Sequence, residues 1–192
     1  MIAPARIQYL KERIARDNDP DAYRELYFAC YHHLLMFAIG LVKSKQSAEE
    51  IVSDVFINIW EKRNRLEHVS NLRLYLYTAT RNMALNYLAR HKKVLITALS
   101  ELPVEIHSLQ YDPERIMITS EMKKIIHDAV NRLPARCKLI FKLVKEDELK
   151  YREVAELLNL SVKTVETQMG IALRRIAEAI RFDPQKTQPT GK

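Results

Sequence analysis

Tyr151-Arg-Glu-Val-Ala-Glu-Leu-Leu-Asn-Leu-Ser-Val-Lys-Thr-Val-Glu-Thr-Gln-Met-Gly170 has the pattern of a helix-turn-helix. Ala155 is small enough for two helices to cross closely, and Asn159 tolerates the left-handed backbone that ends a first helix. Ser161 is placed to cap the second helix. On that helix Val162, Val165, Met169, Ala172 and Ile176 predict a buried stripe. Lys163, Thr164, Glu166, Thr167, Gln168 and Ile171 are left outward or flanking. A helix so exposed commonly enters the DNA major groove. There Gln168 can pair with adenine, Glu166 can accept from cytosine, and Thr164 and Thr167 suit phosphates or thymine methyls. Lys163, Arg174 and Arg175 suit phosphates. Gly170 costs roughly 1 kcal/mol in a helix interior, and is either a close-approach position or simply tolerated. A short αα-hairpin without a DNA role has the same local pattern.

Working outward, Glu114 to Leu133 predicts an amphipathic helix, Pro134 to Lys145 a second begun by proline, and Glu146-Asp-Glu148 a turn. With the helix-turn-helix, Tyr151 to Leu158 and Ser161 to Ile180, they make a four-helix domain over residues 115–182. Asp183 to Lys192 is a polar tail expected to fray. Upstream, residues 94–114 lose the helical period, are interrupted by Pro103 and Pro113, and form an expected interdomain linker. Val94, Leu95, Ile96, Leu99, Leu102, Val104, Ile106 and Leu109 are too many apolar residues for an idle spacer. The linker is therefore expected to be mobile when free and bound in a working complex, partial packing on a domain being the alternative.

Residues 1–93 form the other expected domain. A helix over Ile7 to Arg16 is broken by Asp17-Asn-Asp-Pro20-Asp21, and a second runs from Ala22 to Lys43. Ser47-Ala-Glu-Glu50 has the form of a capping box opening a third, with Ile51, Val52, Val55, Phe56 and Ile59 on its apolar face and Trp60 at its end. A polar interval, Lys62 to Asn71, precedes a fourth helix from Leu72 to about His91.

Only three glycines and seven prolines occur in 192 residues that are 47% hydrophobic. Sheets need many tight turns, so the fold class is all-α. The formal net charge is +7, which fits a polyanionic partner. Lys62 to Lys93 carries eight Lys or Arg against one acid, Glu67. Ser47 to Glu61 carries Glu49, Glu50, Asp54 and Glu61 with no base. An acidic helix followed by a basic one suggests two different partners, although solvated helix faces have the same composition. In the basic stretch Tyr75, Tyr77 and Tyr87 are interleaved with Arg73, Arg81, Arg90, Lys92 and Lys93. Such a surface can track phosphates and stack on unpaired bases. Asn82 and Asn86 lie about a turn apart and can bond to backbone or base edges. For each tyrosine taken singly, a core position is favoured over a base contact.

Cys30 and Cys137 are isolated among apolar residues, which predicts buried free thiols rather than a zinc site or disulfide. The N-terminus lacks the apolar core of a signal peptide, and the apolar stretch Leu34 to Val42 is too short to cross a bilayer, so a soluble cytoplasmic protein is expected. His32 and His33 point about 100° apart on a helix and cannot share a metal; one is expected at the surface and the other half-buried. Glu49 and Glu50 meet the same objection. No phosphate-binding glycine loop, GxSxG elbow or HExxH occurs, so neither an enzyme nor a metal or cofactor is expected.

Three segments in series resemble sigma factors of the extracytoplasmic-function type. They are Ser47-Ala-Glu-Glu-Ile-Val-Ser-Asp-Val-Phe-Ile-Asn-Ile-Trp60, Leu72-Arg-Leu-Tyr-Leu-Tyr-Thr-Ala-Thr-Arg-Asn-Met-Ala-Leu-Asn-Tyr-Leu88, and Leu133-Pro-Ala-Arg-Cys-Lys-Leu-Ile-Phe141 with the helix-turn-helix beyond it. The resemblance covers nearly the whole chain and lacks the additional domains of housekeeping sigma factors. It implies that Glu49, Glu50, Ser53 and Asp54 bind the β′ clamp helices of core RNA polymerase. It further implies that Lys62, Arg63, Arg65, Asn71, Arg73, Tyr75, Arg81, Asn82, Asn86 and Arg90 open and read the minus-10 promoter element. Lys163, Thr164, Glu166, Thr167, Gln168, Ile171, Arg174 and Arg175 would read the minus-35 element, with the C-terminal domain on the β flap and the linker threaded near the polymerase active centre. Ser53 stands where the family often has Gln, Tyr75 where it has Trp, and Asn86 where it has Asp. Glu166, Gln168 and Ile171 replace common basic residues, so the minus-35 preference is this chain's own. Lys163-Thr-Val-Glu166 resembles sigma factors of the Bacteroidetes, which implies a membrane-bound anti-sigma partner.

Two other readings stand beside this one. A stand-alone helix-turn-helix regulator would be dimeric on a palindromic site and needs neither the acidic helix nor the apolar linker. An all-helical adaptor would show no salt-dependent DNA binding.

Overall fold

The computed structural model describes residues 3–91 and 120–181, and every regular element among them is helical. The all-α expectation therefore holds. The chain divides into two compact units, Met1–Pro103 and Val104–Lys192. The expected linker 94–114, the tail 183–192 and the domain bounds beside them lie outside the described residues.

Unit 1 contains α1 (Pro4–Asp17), α2 (Pro20–Val42), α3 (Lys45–Glu61), a 3-10 turn (Arg63–His68) and α4 (Leu72–Arg90). The acidic breaker after α1 works as its residues predict. Asn18 adopts the left-handed conformation at φ 53°, ending α1. Asp19 then accepts hydrogen bonds from the amides of Asp21 and Ala22 at 2.9 and 3.1 Å, and Pro20 occupies the first turn of α2. Those amides, with the Arg13 guanidinium, hold the Asp19 carboxyl below the usual carboxylate range.

Two expectations change here. The third helix starts a turn earlier, with Ser44 rather than Ser47 as its cap. Ser44 has extended backbone and accepts the Ser47 amide at 3.3 Å, while Lys45 and Gln46 are good helix formers that extend the helix. Ser47 is instead buried, and its hydroxyl donates to Tyr87 Oη of α4 at 2.8 Å. Secondly, α2 has 23 residues and is long and apolar enough by length and composition to cross a membrane, with half of that window buried. Leu26, Cys30, Leu34, Leu35, Phe37, Ala38, Leu41 and Val42 account for its apolarity by packing into the core, against α1, α3 and α4.

The centre of unit 1 combines aromatic ring contacts with aliphatic packing. Phe56 lies 4.7 Å from the Tyr27 ring and edge-on to Tyr23, and Phe37 meets Tyr77 edge-on at 5.1 Å. Val52, Val55, Leu66 and Leu76 fill the remainder at 1% exposure or less. Thr80, fully buried, satisfies its hydroxyl by donating to the Leu76 carbonyl at 2.9 Å.

Unit 2 contains α5 (Ser120–Asn131), α6 (Ala135–Lys145), α7 (Tyr151–Leu158) and α8 (Val162–Arg181). Residues 114–119 of the expected first helix lie outside the described residues, and Pro134 caps α6 rather than entering it. The turn after α6 passes through Glu148 at φ 55°. All three shorter helices pack on α8, burying Val130, Ile140, Leu143, Val154, Val165, Met169 and Ala172.

Candidate nucleic-acid and polymerase interfaces

In unit 2 the turn closes as a left-handed helix end. Asn159 has φ 53° and ψ 52°, and the Leu160 amide donates to the Ala155 carbonyl at 2.8 Å, the bond that satisfies an orphan carbonyl of the last turn. Ser161 caps α8 by accepting the Thr164 amide at 3.0 Å. Val165, Met169, Ala172 and Ile176 form the buried stripe. Val162 does not join them: it is 40% exposed, because it opens the helix beyond the end of the packed stripe.

The opposite face of α8 offers Lys163, Glu166, Thr167, Gly170, Arg174 and Arg175 to solvent, with Thr164, Gln168 and Ile171 half-buried at its edges. The two threonine hydroxyls are already engaged, Thr164 with Ser161 Oγ at 2.8 Å and Thr167 with the Lys163 carbonyl at 2.8 Å. Their methyl groups are thereby the simpler contacts. Leu173, 48% exposed, was not singled out by sequence reasoning; its position beyond the apolar stripe was the available signal. Beneath the face, Cys137 lies buried with its thiol 3.2 Å from the Gln168 carbonyl, and burial pushes that thiol up. It is a packing residue with little thiolate.

A Cβ built on Gly170 meets nothing within 4 Å, so no neighbouring helix requires glycine there. Gly170→Ala is expected to raise the stability of unit 2 by roughly 1 kcal/mol, the helix-interior difference between the two residues. Thermal unfolding of the full chain reads this as an increase in the melting temperature of the transition that carries unit 2.

In unit 1, Glu50, Asp54, Ile57 and Glu61 form an exposed ridge along α3, with Ser53 and Glu49 half-buried beside it. Glu49 also faces Lys45 at 3.8 Å. The ridge is acidic, as expected, but carries one exposed apolar residue that composition alone did not flag, Ile57 at 53% exposure.

The segment after α3 divides the expected promoter residues into groups. Lys62 and Arg65 are exposed. Arg63 is drawn inward: its guanidinium lies 4.7 Å from the Trp60 ring, donates to the Trp60 carbonyl at 2.8 Å and bonds to Asn18 Oδ1. Asn71 caps α4 by accepting the Leu74 amide at 3.1 Å. Arg73 is only 7% exposed, which removes it from the expected surface set; its place one turn before buried Tyr77 and two before buried Thr80 puts it on the packed side of α4. Tyr75, Asn82, Asn86 and Arg90 then line one exposed stripe of α4, with Arg81 half-buried at its flank. Thr78 completes the stripe between Tyr75 and Asn82 and was overlooked, though the helical spacing contained it. Among the tyrosines, Tyr77 is core, Tyr87 is tied to Ser47, and Tyr75 is exposed.

His32 is exposed and His33 half-buried, as expected, and Cys30 and Cys137 are buried and not in a disulfide.

Residues 26–94 match the family model described as Sigma-70 region 2, and residues 123–176 match that described as Sigma-70, region 4. The chain belongs to the sigma-70 family. Its sequence is 24% identical over 188 residues to the RNA polymerase sigma-H factor of Pseudomonas aeruginosa, covering 94% of this chain and 97% of that one. It is 25% identical over 181 residues to the ECF RNA polymerase sigma-E factor of Haemophilus influenzae, covering 91% and 95%. Among solved structures, the sigma factor RpoE in complex with the anti-sigma factor NepR from Bartonella quintana shares 23% identity over 84% of this chain and 98% of that chain, at a TM-score of 0.47. A region 2 match alongside region 4 makes this a sigma factor for transcription initiation, not a stand-alone helix-turn-helix regulator. The region 2 match spans most of α2 and all of α3, the 3-10 turn and α4; the region 4 match spans most of α5, all of α6 and α7, and most of α8. Helix α1 lies outside both.

Proposed function

We propose that this sigma factor brings core RNA polymerase to promoters in the cytoplasm and uses separate surfaces for enzyme and DNA. The observation that carries the assignment of surfaces is the ordering of exposed side chains: an acidic ridge on α3, then cations and amides on the 3-10 turn and α4. Glu49, Glu50, Ser53 and Asp54 bind the β′ clamp helices, with Ile57 adding apolar contact at the ridge centre. Oppositely charged surfaces steer and orient such an encounter. Lys62, Arg65, Tyr75, Arg81, Asn82, Asn86 and Arg90 engage the minus-10 element, the cations on phosphates and Tyr75 against an unpaired base. The exposed face of α8 reads the minus-35 element while unit 2 rests on the β flap. The factor performs no reaction of its own. The Lys163-Thr-Val-Glu166 resemblance supports a Bacteroidetes-type factor held by a membrane-bound anti-sigma protein.

Transcription in vitro by sigma-free core polymerase on a fragmented genomic template tests the proposal. Discrete start sites sharing a minus-10 and minus-35 pattern, present only with this protein, are the expected result. Their absence, with a control sigma factor active, would defeat it. On such a promoter Gln168→Ala is expected to cost roughly 1–3 kcal/mol of discrimination at one minus-35 base pair. An unaltered preference at every minus-35 position places Gln168 outside base readout.

A further inference from the structure

The 3-10 turn that follows α3 carries the exposed residues Asn64, Arg65, Glu67 and His68, with exposed Lys62 just before it. A six-residue 3-10 segment has poorer hydrogen-bond geometry than an α-helix and rarely runs so long unsupported. At its two ends the Arg65 amide donates to the Lys62 carbonyl at 2.9 Å and the Val69 amide to the Leu66 carbonyl at 3.0 Å. Further support comes from far away in sequence. Leu66 is buried at 1% exposure. Lys11 of α1, only 5% exposed, donates its ammonium to the Val69 carbonyl at 2.8 Å. Arg16 of α1 donates through Nε and Nη2 to Glu67 Oε1 at 3.1 and 2.9 Å. Arg63 bonds to Asn18, the residue that ends α1.

These contacts are of unequal weight. Arg16 and Glu67 are both more than half exposed, where an ion pair is screened and contributes little. Lys11 is different in kind. A buried ammonium is retained only where its donors are satisfied, and a charged donor makes the stronger sort of hydrogen bond. Its acceptor, Val69, is the residue at which the turn ends and the chain runs towards α4.

We propose that α1, which neither family match includes, is a strut for the promoter-facing turn, and that Lys11 is its positioning residue. The ammonium on the Val69 carbonyl fixes the end of the turn, Leu66 pins its middle, and the outward side chains of Arg65 and His68 are thereby presented before DNA arrives. Pre-organisation of this sort lowers the ordering cost of engaging a strand. The proposal rests on the reading of the turn as promoter-facing.

The test uses the full chain with core polymerase on a promoter mapped by the genomic transcription above, as an intact duplex and with the minus-10 segment premelted. Lys11→Met removes the donor while keeping the length. Permanganate reactivity of minus-10 thymines on the duplex is expected to fall about tenfold, while core affinity and transcription from the premelted template stay within about twofold. Lys11→Arg, which keeps a donor, is expected to restore it. Amide exchange at Leu66 to Asn71 should accelerate while α2 and α3 keep their protection. A Lys11→Met protein that opens the duplex normally, or that loses core binding and premelted transcription in equal measure, overturns the strut. Should Lys11→Met fail to fold, Lys11→Leu, which likewise lacks a donor, is judged by the same criteria. Arg65→Ala separates the premises. If it lowers opening and folded Lys11→Met does not, the strut alone fails; if Arg65→Ala has no effect, the reading of the turn fails with it.

Discussion

Asp54→Arg lowers the affinity for core RNA polymerase by about tenfold to a hundredfold, a cost of roughly 1.4–2.8 kcal/mol. Asp54 is exposed in the middle of the α3 ridge, between Glu50 and Glu61, with Ile57 beside it. In the proposed contact with the β′ clamp helices, reversing its charge replaces attraction with like-charge repulsion. The fold has little stake in the side chain: the contact Asp54 makes with Asn58 uses its backbone carbonyl, at 2.9 Å. Helical content and melting temperature should therefore match those of the parent. Because the pair forms at a rim open to ions, the defect should deepen at low salt and shrink at high salt. Equilibrium binding of labelled protein to core enzyme measures this directly. Unchanged affinity would take α3 out of the polymerase interface.

Phe56→Ala has the largest expected effect on stability, about 3–5 kcal/mol. The ring is 1% exposed and is enclosed by Tyr27 at 4.7 Å and by the edge of Tyr23 at 6.3 Å. Removing it leaves a cavity between α2 and α3, behind the acidic ridge. The Tyr23 hydroxyl still donates to the carbonyl of residue 56 at 2.9 Å, so the helices keep one polar tie but lose the packing around it. A loss of that size is a large part of the 5–15 kcal/mol typical of whole domains. Urea unfolding of the full chain should show the transition of unit 1 moving to markedly lower denaturant while that of unit 2 stays in place. A shift worth less than about 1 kcal/mol would mean that the tyrosines collapse into the space. Polymerase binding falls in both variants, but here it falls with the fold, whereas Asp54→Arg loses it from an intact one.

Much of the fold was legible because its signals are local. Asn159 ends α7 and Ser161 caps α8 through atoms within a few residues of themselves. The Asp17 to Asp21 breaker works the same way, with Asp19 reaching only to the amides of Asp21 and Ala22. Where two local signals competed, reading them was harder. Ser44 and Ser47 both offer a capping hydroxyl, and the choice turned on Tyr87, forty residues away, which takes the Ser47 hydroxyl into the core.

The candidate interface residues were legible in type more than in placement. The acidic and basic residues read from the sequence fall on α3 and on the 3-10 turn and α4, and helical spacing set Tyr75, Asn82, Asn86 and Arg90 on one exposed stripe. It did not separate Arg63 and Arg73 from Lys62 and Arg65, because a long cationic side chain can turn either way, nor did it mark Asn71, whose short amide caps α4. Arg63 is held by Trp60 and Asn18, Asn71 by the amide of Leu74, and Arg73 by burial.

By itself the sequence determined the helices, most of their ends and the order of acidic, basic and helix-turn-helix segments, since caps and apolar periodicity act within a turn or two of the chain. Only the tertiary structure decided which charged groups face solvent and which are spent inside. That depends on what lies across from them: Val69 is 58 residues from Lys11, and Glu67 is 51 from Arg16, and no local pattern specifies partners at that range.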